Sequence, residues 1–282
     1  MTTLHESLQE ITTILAKAKI ELPKLEARLI TQKILELNLA DMISVGSFNI
    51  EDHKKILIDQ LVRRRIDYEP LAYILEEKEF WSLPFKVDPN VLIPRPDSET
   101  IISSVLNSID DLNYSYKILD LGTGSGCLIL SLLKELPCAL GVGVDCSNDA
   151  LKIAAFNAEQ NSLQDRVDFI LSDWENNLHD TFDLIISNPP YIETNQINNL
   201  QTEILLYEPK IALDGGADGL NAYRQILSGM KKILKKDGKL FFEIGSHQSR
   251  DVVKLAANMG LLHCQTFYDL AGIARCLVFK WI

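Results

Sequence analysis

The most informative residues in the chain are Asn188, Pro189, Pro190 and Tyr191, which follow a short apolar run. Two consecutive prolines fix the local backbone and remove two N–H donors, so the carbonyl groups of this tetrapeptide remain as acceptors. Asn188 adds a side-chain carbonyl, and Tyr191 adds an aromatic face. The set is suited to binding a planar NH2 group, and a rigid turn after a strand is the alternative interpretation.

A planar amide or amino nitrogen is a poor nucleophile because its lone pair is delocalised. We expect the Asn188 side chain and the Pro189 carbonyl to accept both N–H hydrogens and to align the nitrogen with an electrophilic methyl group. Acceptors placed in this way stabilise the positive charge that develops on nitrogen, and alignment supplies much of the remaining rate. This chemistry requires no histidine or cysteine base beside the nitrogen.

A glycine-rich loop follows an earlier apolar run. Its residues are, in order, Asp120, Leu121, Gly122, Thr123, Gly124, Ser125 and Gly126. Glycines at alternate positions let the chain turn sharply and bring its backbone close to a ligand. The helix that follows would direct its N-terminus at the bound molecule. The alternative is a tight turn that binds nothing.

Acidic residues after the next two apolar runs strengthen the ligand interpretation. Asp145 lies 19 residues after Gly126, where an acid commonly accepts hydrogen bonds from ribose hydroxyls; Ser147 is better placed to cap the following helix. Asp173 is placed to accept from the amino group of an adenine, and Trp174 could stack near that ring. A capped turn with a half-buried tryptophan is the alternative for the last two.

The loop spacing bears on which cofactor is bound. Nicotinamide sites usually carry GxGxxG, whereas this loop reads GxGxG after an acid. Asp120 is more typical of S-adenosylmethionine sites, where an acid at the end of the first strand lies near the methionine moiety. The spacing favours S-adenosylmethionine and leaves a dehydrogenase open.

Short apolar runs alternate with helical patterns in the second part of the chain. The predicted strands are Lys117–Leu121, Gly141–Asp145, Val167–Leu171, Phe182–Ser187, Lys239–Ile244 and Ala274–Lys280, the last antiparallel at the sheet edge. Buried strands separated by helices indicate an α/β fold with a mainly parallel sheet covered on both faces.

The N-terminal part has a different periodicity. Leu4, Leu8, Ile11 and Leu15 recur at helical spacing, and Pro23 stands where a second helix would begin. A third helical pattern ends in Arg63, Arg64 and Arg65, interpreted as a solvated helix face or, alternatively, as a contact surface for a charged partner. We therefore predict a helical domain over residues 1–78, a hairpin linker over 79–94 and a catalytic domain over 95–282.

The composition excludes several classes of protein. A net charge of -11 argues against extended contact with nucleic-acid phosphates. Five scattered cysteines without a CxxC pair suggest neither disulfides nor a zinc site, and we expect no metal. Early acidic residues argue against a signal or transit peptide, and no apolar run is long enough for a membrane span. We expect a cytoplasmic, monomeric protein.

The chain resembles the bacterial peptide chain release factor glutamine methyltransferase family, often called HemK or PrmC, over nearly its whole length. The residues that carry the resemblance are Leu92–Glu99, Asp120–Gly126, Ser172–Trp174, Asn188–Tyr191, Tyr207–Pro209 and Leu213–Gly216. The chain departs from the family at Asp97–Glu99, where Glu-Thr-Glu is common, and at Ile273–Arg275, where a more charged run is usual.

The resemblance implies a seven-stranded Rossmann-like class I methyltransferase domain with a small N-terminal helical domain. It implies S-adenosylmethionine as cofactor, held by Gly122, Thr123, Gly124, Ser125, Gly126, Asp145, Trp174 and Asn188, to which the residues themselves add Asp120 and Asp173. It also implies that Asn188–Tyr191 hold the glutamine of the Gly-Gly-Gln motif in release factors, which the helical domain helps to bind. A DNA adenine methyltransferase and an inactive binding protein of the same fold remain alternatives.

Overall fold

The computed structural model describes residues 2–37 and 48–282. The chain forms two compact units, one from Met1–Glu77 with Gln201–Tyr207 and the other from Lys78–Leu200 with Glu208–Ile282. Within the described ranges, no helix is both long and apolar enough to cross a membrane.

The smaller unit is helical. Its helices are α1 (Leu4–Lys17), α2 (Pro23–Leu35), α3 (Asp52–Ile66) and α4 (Leu71–Leu75), and short strands β1 (Thr2–Thr3) and β2 (Asn49–Ile50) pair antiparallel. The predicted stripe on α1 is confirmed, because Leu4, Ile11 and Leu15 are buried together. Pro23 begins α2 as predicted.

The three arginines at the end of α3 have different environments. Arg64 pairs with Glu69 through two hydrogen bonds of 2.7 and 2.6 Å. Arg65 is buried between Glu26 at 2.6 Å and Glu203 at 3.1 Å. The interpretation as a solvated face is therefore wrong for Arg65, whose side chain joins α2 to the segment Gln201–Tyr207, and it fits the exposed Arg63.

The larger unit opens with a hairpin of β3 (Lys78–Phe80) and β4 (Leu83–Phe85). Phe80 and Phe85 pack edge to face and are buried in the core beside Ile101 and Ile102. The chain then passes through a short 3-10 turn, Pro96–Ser98, into α5 (Glu99–Ser108). The predicted hairpin thus packs on the first long helix of this unit.

A seven-stranded sheet is the centre of the larger unit. Its strands are β5 (Lys117–Leu121), β6 (Leu140–Asp145), β7 (Val167–Leu171), β8 (Phe182–Ser187), β9 (Leu234–Glu243), β10 (Leu261–Tyr268) and β11 (Ala274–Trp281). They lie in the order β10-β11-β9-β8-β5-β6-β7, and the five from β5 to β9 are parallel. The predicted fold class is confirmed.

The position of the last strand in the sheet differs from the prediction. β11 is antiparallel as expected, but it lies between β9 and β10, so its placement at the sheet edge was wrong. β10 occupies that edge and was missed, because seven of its eight residues are exposed or half-buried and give no regular apolar pattern.

Helices cover both faces of the sheet. They are α6 (Cys127–Glu135), α7 (Asn148–Gln160), α9 (Asn221–Ile233) and α10 (Ser249–Asn258), while α8 (Thr202–Tyr207) belongs to the helical unit. Two separate apolar cores result, one on each face. The strand order reverses between β5 and β8, and ligands of such sheets bind at the carboxyl ends of the strands where this reversal occurs.

Candidate active site

The glycine loop leaves β5 at this reversal. Gly122, Gly124 and Gly126 have φ angles of 76, 54 and 80°, which L-residues with a side chain adopt at a cost. A Cβ on Gly126 would also lie 3.3 Å from the Cβ of Ala154, so this residue lets α6 and α7 approach. The loop is a tight turn whose conformation and packing require glycine.

The end of β6 holds the loop in place. The amides of Gly122 and Thr123 donate to the carbonyl of Val144 over 2.9 and 2.8 Å. Asp145 accepts from the Gly124 amide through Oδ2 and from the Ser147 amide through Oδ1, both at 2.9 Å. Ser147 caps α7 by accepting from the Ala150 amide, as predicted. Asp145 therefore orders the loop and presents its carboxylate beside it.

Asp120 lies beneath the loop and is fully buried. Its Oδ2 accepts from the Thr123 hydroxyl over 2.7 Å, whereas its Oδ1 has no hydrogen-bond partner among the described residues. Burial raises the pKa of the Asp120 carboxyl to about 7, against the lowering effect of the Thr123 hydrogen bond. A cationic group bound at the loop would stabilise the ionised form of this carboxyl.

Trp174 follows β7 with a left-handed backbone, at a φ of 50°. Its ring passes over the glycine loop, 3.6 Å from where a Cβ of Gly122 would stand, and its Nε1 donates to Gln225 over 2.9 Å. Helix α9 thus fixes the ring through Gln225. Trp174, Gln225 and the neighbouring Asp173 all line one cavity with the glycine loop.

The tetrapeptide lies at the carboxyl end of β8, the strand next to β5. The Ser187 hydroxyl donates to the Leu121 carbonyl over 2.7 Å and so joins the ends of the two strands. Asn188 donates from Nδ2 to the Ser98 hydroxyl over 3.2 Å. Tyr191 has its carbonyl bound by Gln248 over 2.9 Å, and its hydroxyl lies 3.5 Å from Glu243.

A cavity of about 310 Å³ joins these groups. The predicted site residues that line it are Gly122, Thr123, Gly124, Ser125, Asp145, Asp173, Trp174, Asn188 and Pro190. The other predicted residues, Asp120, Gly126, Pro189 and Tyr191, lie outside this lining. The glycine loop, two acids and the Trp174 ring line the same cavity as Asn188 and Pro190 of the tetrapeptide, so both halves of a transfer reaction can share it.

Two further segments line the cavity and were not predicted as site residues. One runs from Asn90 to Ser98 and the other from Pro209 to Asp214. Arg95 of the first pairs with Glu208, next to the second, at 2.5 Å. Both segments carry the resemblance noted above, and that resemblance was the signal that could have placed them here.

Helix α9 supplies a third set of unpredicted lining residues. Asn221, Ala222 and Gln225 face the cavity from its first two turns. In the described part of the chain, no group of three or more histidine, cysteine, aspartate or glutamate side chains is arranged to hold a metal ion.

Comparison with known proteins places the chain in a family. Residues 6–75 match the PrmC N-terminal domain, and residues 112–266 match a methyltransferase domain. A release factor glutamine methyltransferase of Caulobacter vibrioides is 36% identical, with 94% of this chain and 91% of that protein aligned. The chain belongs to the release factor glutamine methyltransferase family. A second member, from Bradyrhizobium diazoefficiens, is 36% identical over 97% of this chain and 93% of its own.

Solved structures agree with the fold. The catalytic domain of hMettl16, crystallised with the MAT2A 3'UTR hairpin 6, has a TM-score of 0.59 at 17% identity, covering 91% of this chain and 92% of that one. A methyltransferase from Pyrococcus furiosus has a TM-score of 0.53 at 17% identity, covering 78% and 98%. At this identity the likeness concerns the fold alone. Membership in the glutamine methyltransferase family confirms the prediction of an S-adenosylmethionine-dependent enzyme.

Proposed function

We propose that this enzyme transfers the methyl group of S-adenosylmethionine to the side-chain amide nitrogen of the glutamine in the Gly-Gly-Gln motif of bacterial release factors. The observation that carries the proposal is the single cavity shared by the glycine loop and the tetrapeptide, in a member of this family. The cofactor supplies an electrophilic methyl group on a sulfonium, and the chain's own residues place the acceptor nitrogen.

The residues present fit this cofactor. Asp145 is placed for ribose hydroxyls, and Asp173 with Trp174 for an adenine. Asp120 offers a buried carboxyl oxygen that has no protein partner among the described residues, as a site for a cationic ligand requires. The cavity volume is at the lower end of the range, roughly 300 to 1,000 Å³, of small-molecule sites.

Asn188 orients the substrate amide. Because its Nδ2 donates to Ser98, its Oδ1 remains to accept one N–H of the glutamine. The Pro189 carbonyl is the expected acceptor for the second N–H. With both hydrogens held, the nitrogen lone pair faces the methyl group, and positive charge that forms on nitrogen is stabilised by two acceptors.

The remaining parts of the proposal concern the whole chain. We assign residues 1–78 to substrate recognition, 79–94 to a linker and 95–282 to catalysis. The enzyme acts as a monomer in the cytoplasm on release factors, without direct contact with nucleic acid. The net charge of -11 supports the last point.

Transfer of labelled methyl groups tests the proposal. The enzyme is incubated with labelled S-adenosylmethionine and a bacterial release factor, its Gly-Gly-Ala variant, or duplex DNA. Label on the intact factor alone supports the proposal, and label on DNA would replace it with adenine methylation. Cofactor binding without label on any substrate would indicate an inactive binding protein.

Substitution of Asn188 tests the assigned mechanism. Asn188→Ala should lose most turnover, about a hundredfold, since an acceptor for the developing charge is removed. Calorimetry on the same variant should still show cofactor binding. Near-normal turnover would contradict the role given to this side chain.

A further inference from the structure

A buried carboxyl group lies behind the tetrapeptide, outside the cavity lining and outside every site predicted above. Glu243 is the last residue of β9, the strand next to β8, and its side chain is enclosed with only 2% of the residue exposed. Its Oε2 has no hydrogen-bond partner among the described residues. An enclosed carboxyl is costly unless other groups bind it, so its neighbours indicate its role.

The first neighbour connects Glu243 to Asn188. The Ser98 side chain lies close to the Glu243 carboxyl, whose pKa it lowers, and the Ser98 hydroxyl accepts from Asn188 Nδ2 over 3.2 Å. A hydroxyl has a single hydrogen to donate. With that hydrogen directed at Glu243, its oxygen lone pairs face Asn188 and can only accept. The Asn188 amide therefore turns its nitrogen towards Ser98 and its Oδ1 away from it.

The second neighbour is Tyr191, whose hydroxyl donates to Glu243 Oε1 over 3.5 Å. Burial and the nearby Glu243 charge raise the pKa of Tyr191 above its usual value, so this hydroxyl keeps its hydrogen and stays a donor. Both side chains beside the Glu243 carboxyl are connected to the tetrapeptide. Tyr191 is its last residue, and Ser98 binds its first residue, Asn188.

We propose that Glu243, acting through Ser98 and directly on Tyr191, is a positioning residue that sets the orientation of the substrate-binding tetrapeptide. The inference rests on the proposed transfer to an amide nitrogen. In this arrangement the Glu243 carboxylate fixes which end of the Asn188 amide faces the substrate. A reversed Asn188 would offer N–H donors to an NH2 group and could not bind it.

Charged groups around Glu243 make the effect dependent on pH. Burial raises the pKa of Glu243 to about 7, against the lowering effects of the nearby Ser98 and Arg275 side chains. Arg275 is shared with Asp97 at 2.6 Å and Asp269 at 2.8 Å, which limits how far it stabilises Glu243. The titratable groups that face Glu243 are Asp97, Arg275, Tyr191, Tyr223, Cys127 and Cys276.

The sign of the pH effect follows from the strength of the hydrogen bonds. Hydrogen bonds to a carboxylate are about twice as strong as those to a neutral carboxyl group. Above pH 7 the ionised Glu243 therefore holds Ser98 and Tyr191 firmly, and below pH 7 the protonated form holds them less well. We expect kcat, measured at saturating S-adenosylmethionine, to rise through pH 7.

The test compares four variants of the full-length enzyme on a release factor between pH 6 and 8. Glu243→Gln should lower kcat about tenfold at pH 8 and remove its rise with pH. Ser98→Ala should lower kcat to a similar extent, and Ser98→Thr, which keeps the hydroxyl, should restore it to within about threefold. Ser104→Ala removes another buried hydroxyl from α5, one that binds the Thr100 carbonyl, and should keep wild-type kcat.

Outcomes are separable because cofactor binding is measured on every variant. A Glu243→Gln enzyme that binds cofactor and keeps the wild-type kcat and pH profile would overturn the inference. If that variant fails to fold, the Ser98 pair decides, since equal loss in Ser98→Ala and Ser98→Thr would also overturn it. Failure of the wild-type enzyme to label any release factor would refute the proposed function instead.

Discussion

Asp120 is a carboxyl group whose protonation is set by burial. One of its oxygens is held by Thr123 and the other has no partner in the described part of the chain. Its pKa is raised to about 7, chiefly because burial disfavours the charged form. Below pH 7 the free enzyme therefore keeps a proton that a bound sulfonium would tend to expel.

The affinity for S-adenosylmethionine should consequently rise between pH 6 and 8. The gain is about tenfold for each unit by which the bound cation lowers the Asp120 pKa. Calorimetry of wild type should show this rise, and Asp120→Asn should bind with an affinity that hardly changes with pH. Asp149→Asn, at an exposed acid on α7, is the matched control. An equal loss of the pH dependence of cofactor affinity in that variant would show that Asp120 is not its cause.

We expect Asp145 to affect cofactor binding through the loop as well as through its own carboxylate. Asp145→Ala removes two hydrogen bonds of 2.9 Å, to the amides of Gly124 and Ser147. Hydrogen bonds to charged groups contribute about 1.5 to 3 kcal/mol each, so we expect cofactor affinity to fall about 10- to 100-fold with kcat at saturation less affected. Asp145→Asn, which keeps one acceptor, should lie between. An unchanged dissociation constant in the alanine variant would contradict this role.

At the scale of elements, the sequence predicted the buried strands well. β5, β7 and β8 have the predicted bounds, and β6 begins one residue earlier. These strands are apolar runs enclosed on both faces, so their pattern carries the signal. β9 was predicted from Lys239 but begins at Leu234, because Lys235, Lys236, Asp237 and Gly238 interrupt any apolar pattern.

Cavity residues that lie outside the strand ends were harder to predict than those at the strand ends. Residues at the carboxyl ends of β5, β6, β7 and β8 were found because parallel strands present those ends at one edge. Ser98 and Gln225 meet them only through tertiary packing, across 90 and 51 residues of sequence. Nothing local in the sequence specifies such separations.

Arg95 pairs with Glu208. This contact joins the two segments around residues 90–98 and 209–214 that line the cavity. The Glu208 side chain is almost fully buried, whereas Arg95 is about one-third exposed. Arg95→Ala removes a countercharge from an enclosed carboxylate, and we expect a loss of about 2 kcal/mol in unfolding free energy, less than for a fully buried pair. Urea denaturation measures it.

The double variant Arg95→Ala with Glu208→Gln provides the control for that measurement. Removing the buried charge together with its partner should recover part of the stability, since the cost arises from the charge that remains. Strictly additive losses would show that the two side chains do not interact. Arg95→Lys should be intermediate, because a lysine keeps the charge without the planar guanidinium.

At the scale of the whole molecule, the residues that line the candidate active site and those that form the helical unit come from separate parts of the chain. Every residue that lines the main cavity belongs to Lys78–Leu200 or Glu208–Ile282. The helical unit nevertheless includes Gln201–Tyr207, which the chain reaches shortly after the tetrapeptide. A deletion of residues 1–75 would therefore also strip Glu203 and Tyr207 of their partners, Arg65 and the Asp67 carbonyl, and is a poor test of substrate recognition.

Substitution of single arginines is a better test of the helical unit. Arg65→Ala leaves Glu26 and Glu203 without their shared cation, where Arg65 and Glu26 are only 8 and 12% exposed at the side chain. We expect a loss of about 3 kcal/mol, seen as faster hydrogen exchange at amides of α2 and α3. Cofactor affinity should stay within twofold, because the ion-pair partners Glu26 and Glu203 of Arg65 belong to the helical unit and do not line the cavity.

Arg63→Ala is the matched control, because Arg63 is exposed on the same helix. Surface substitutions away from packed features usually change stability by less than about 0.5 kcal/mol, so its exchange rates should equal those of wild type. If both variants bind cofactor normally and only Arg63→Ala raises KM for the release factor at unchanged exchange rates, the exposed end of α3 contacts the protein substrate. Unaltered exchange in Arg65→Ala would contradict the structural role given to the buried arginine.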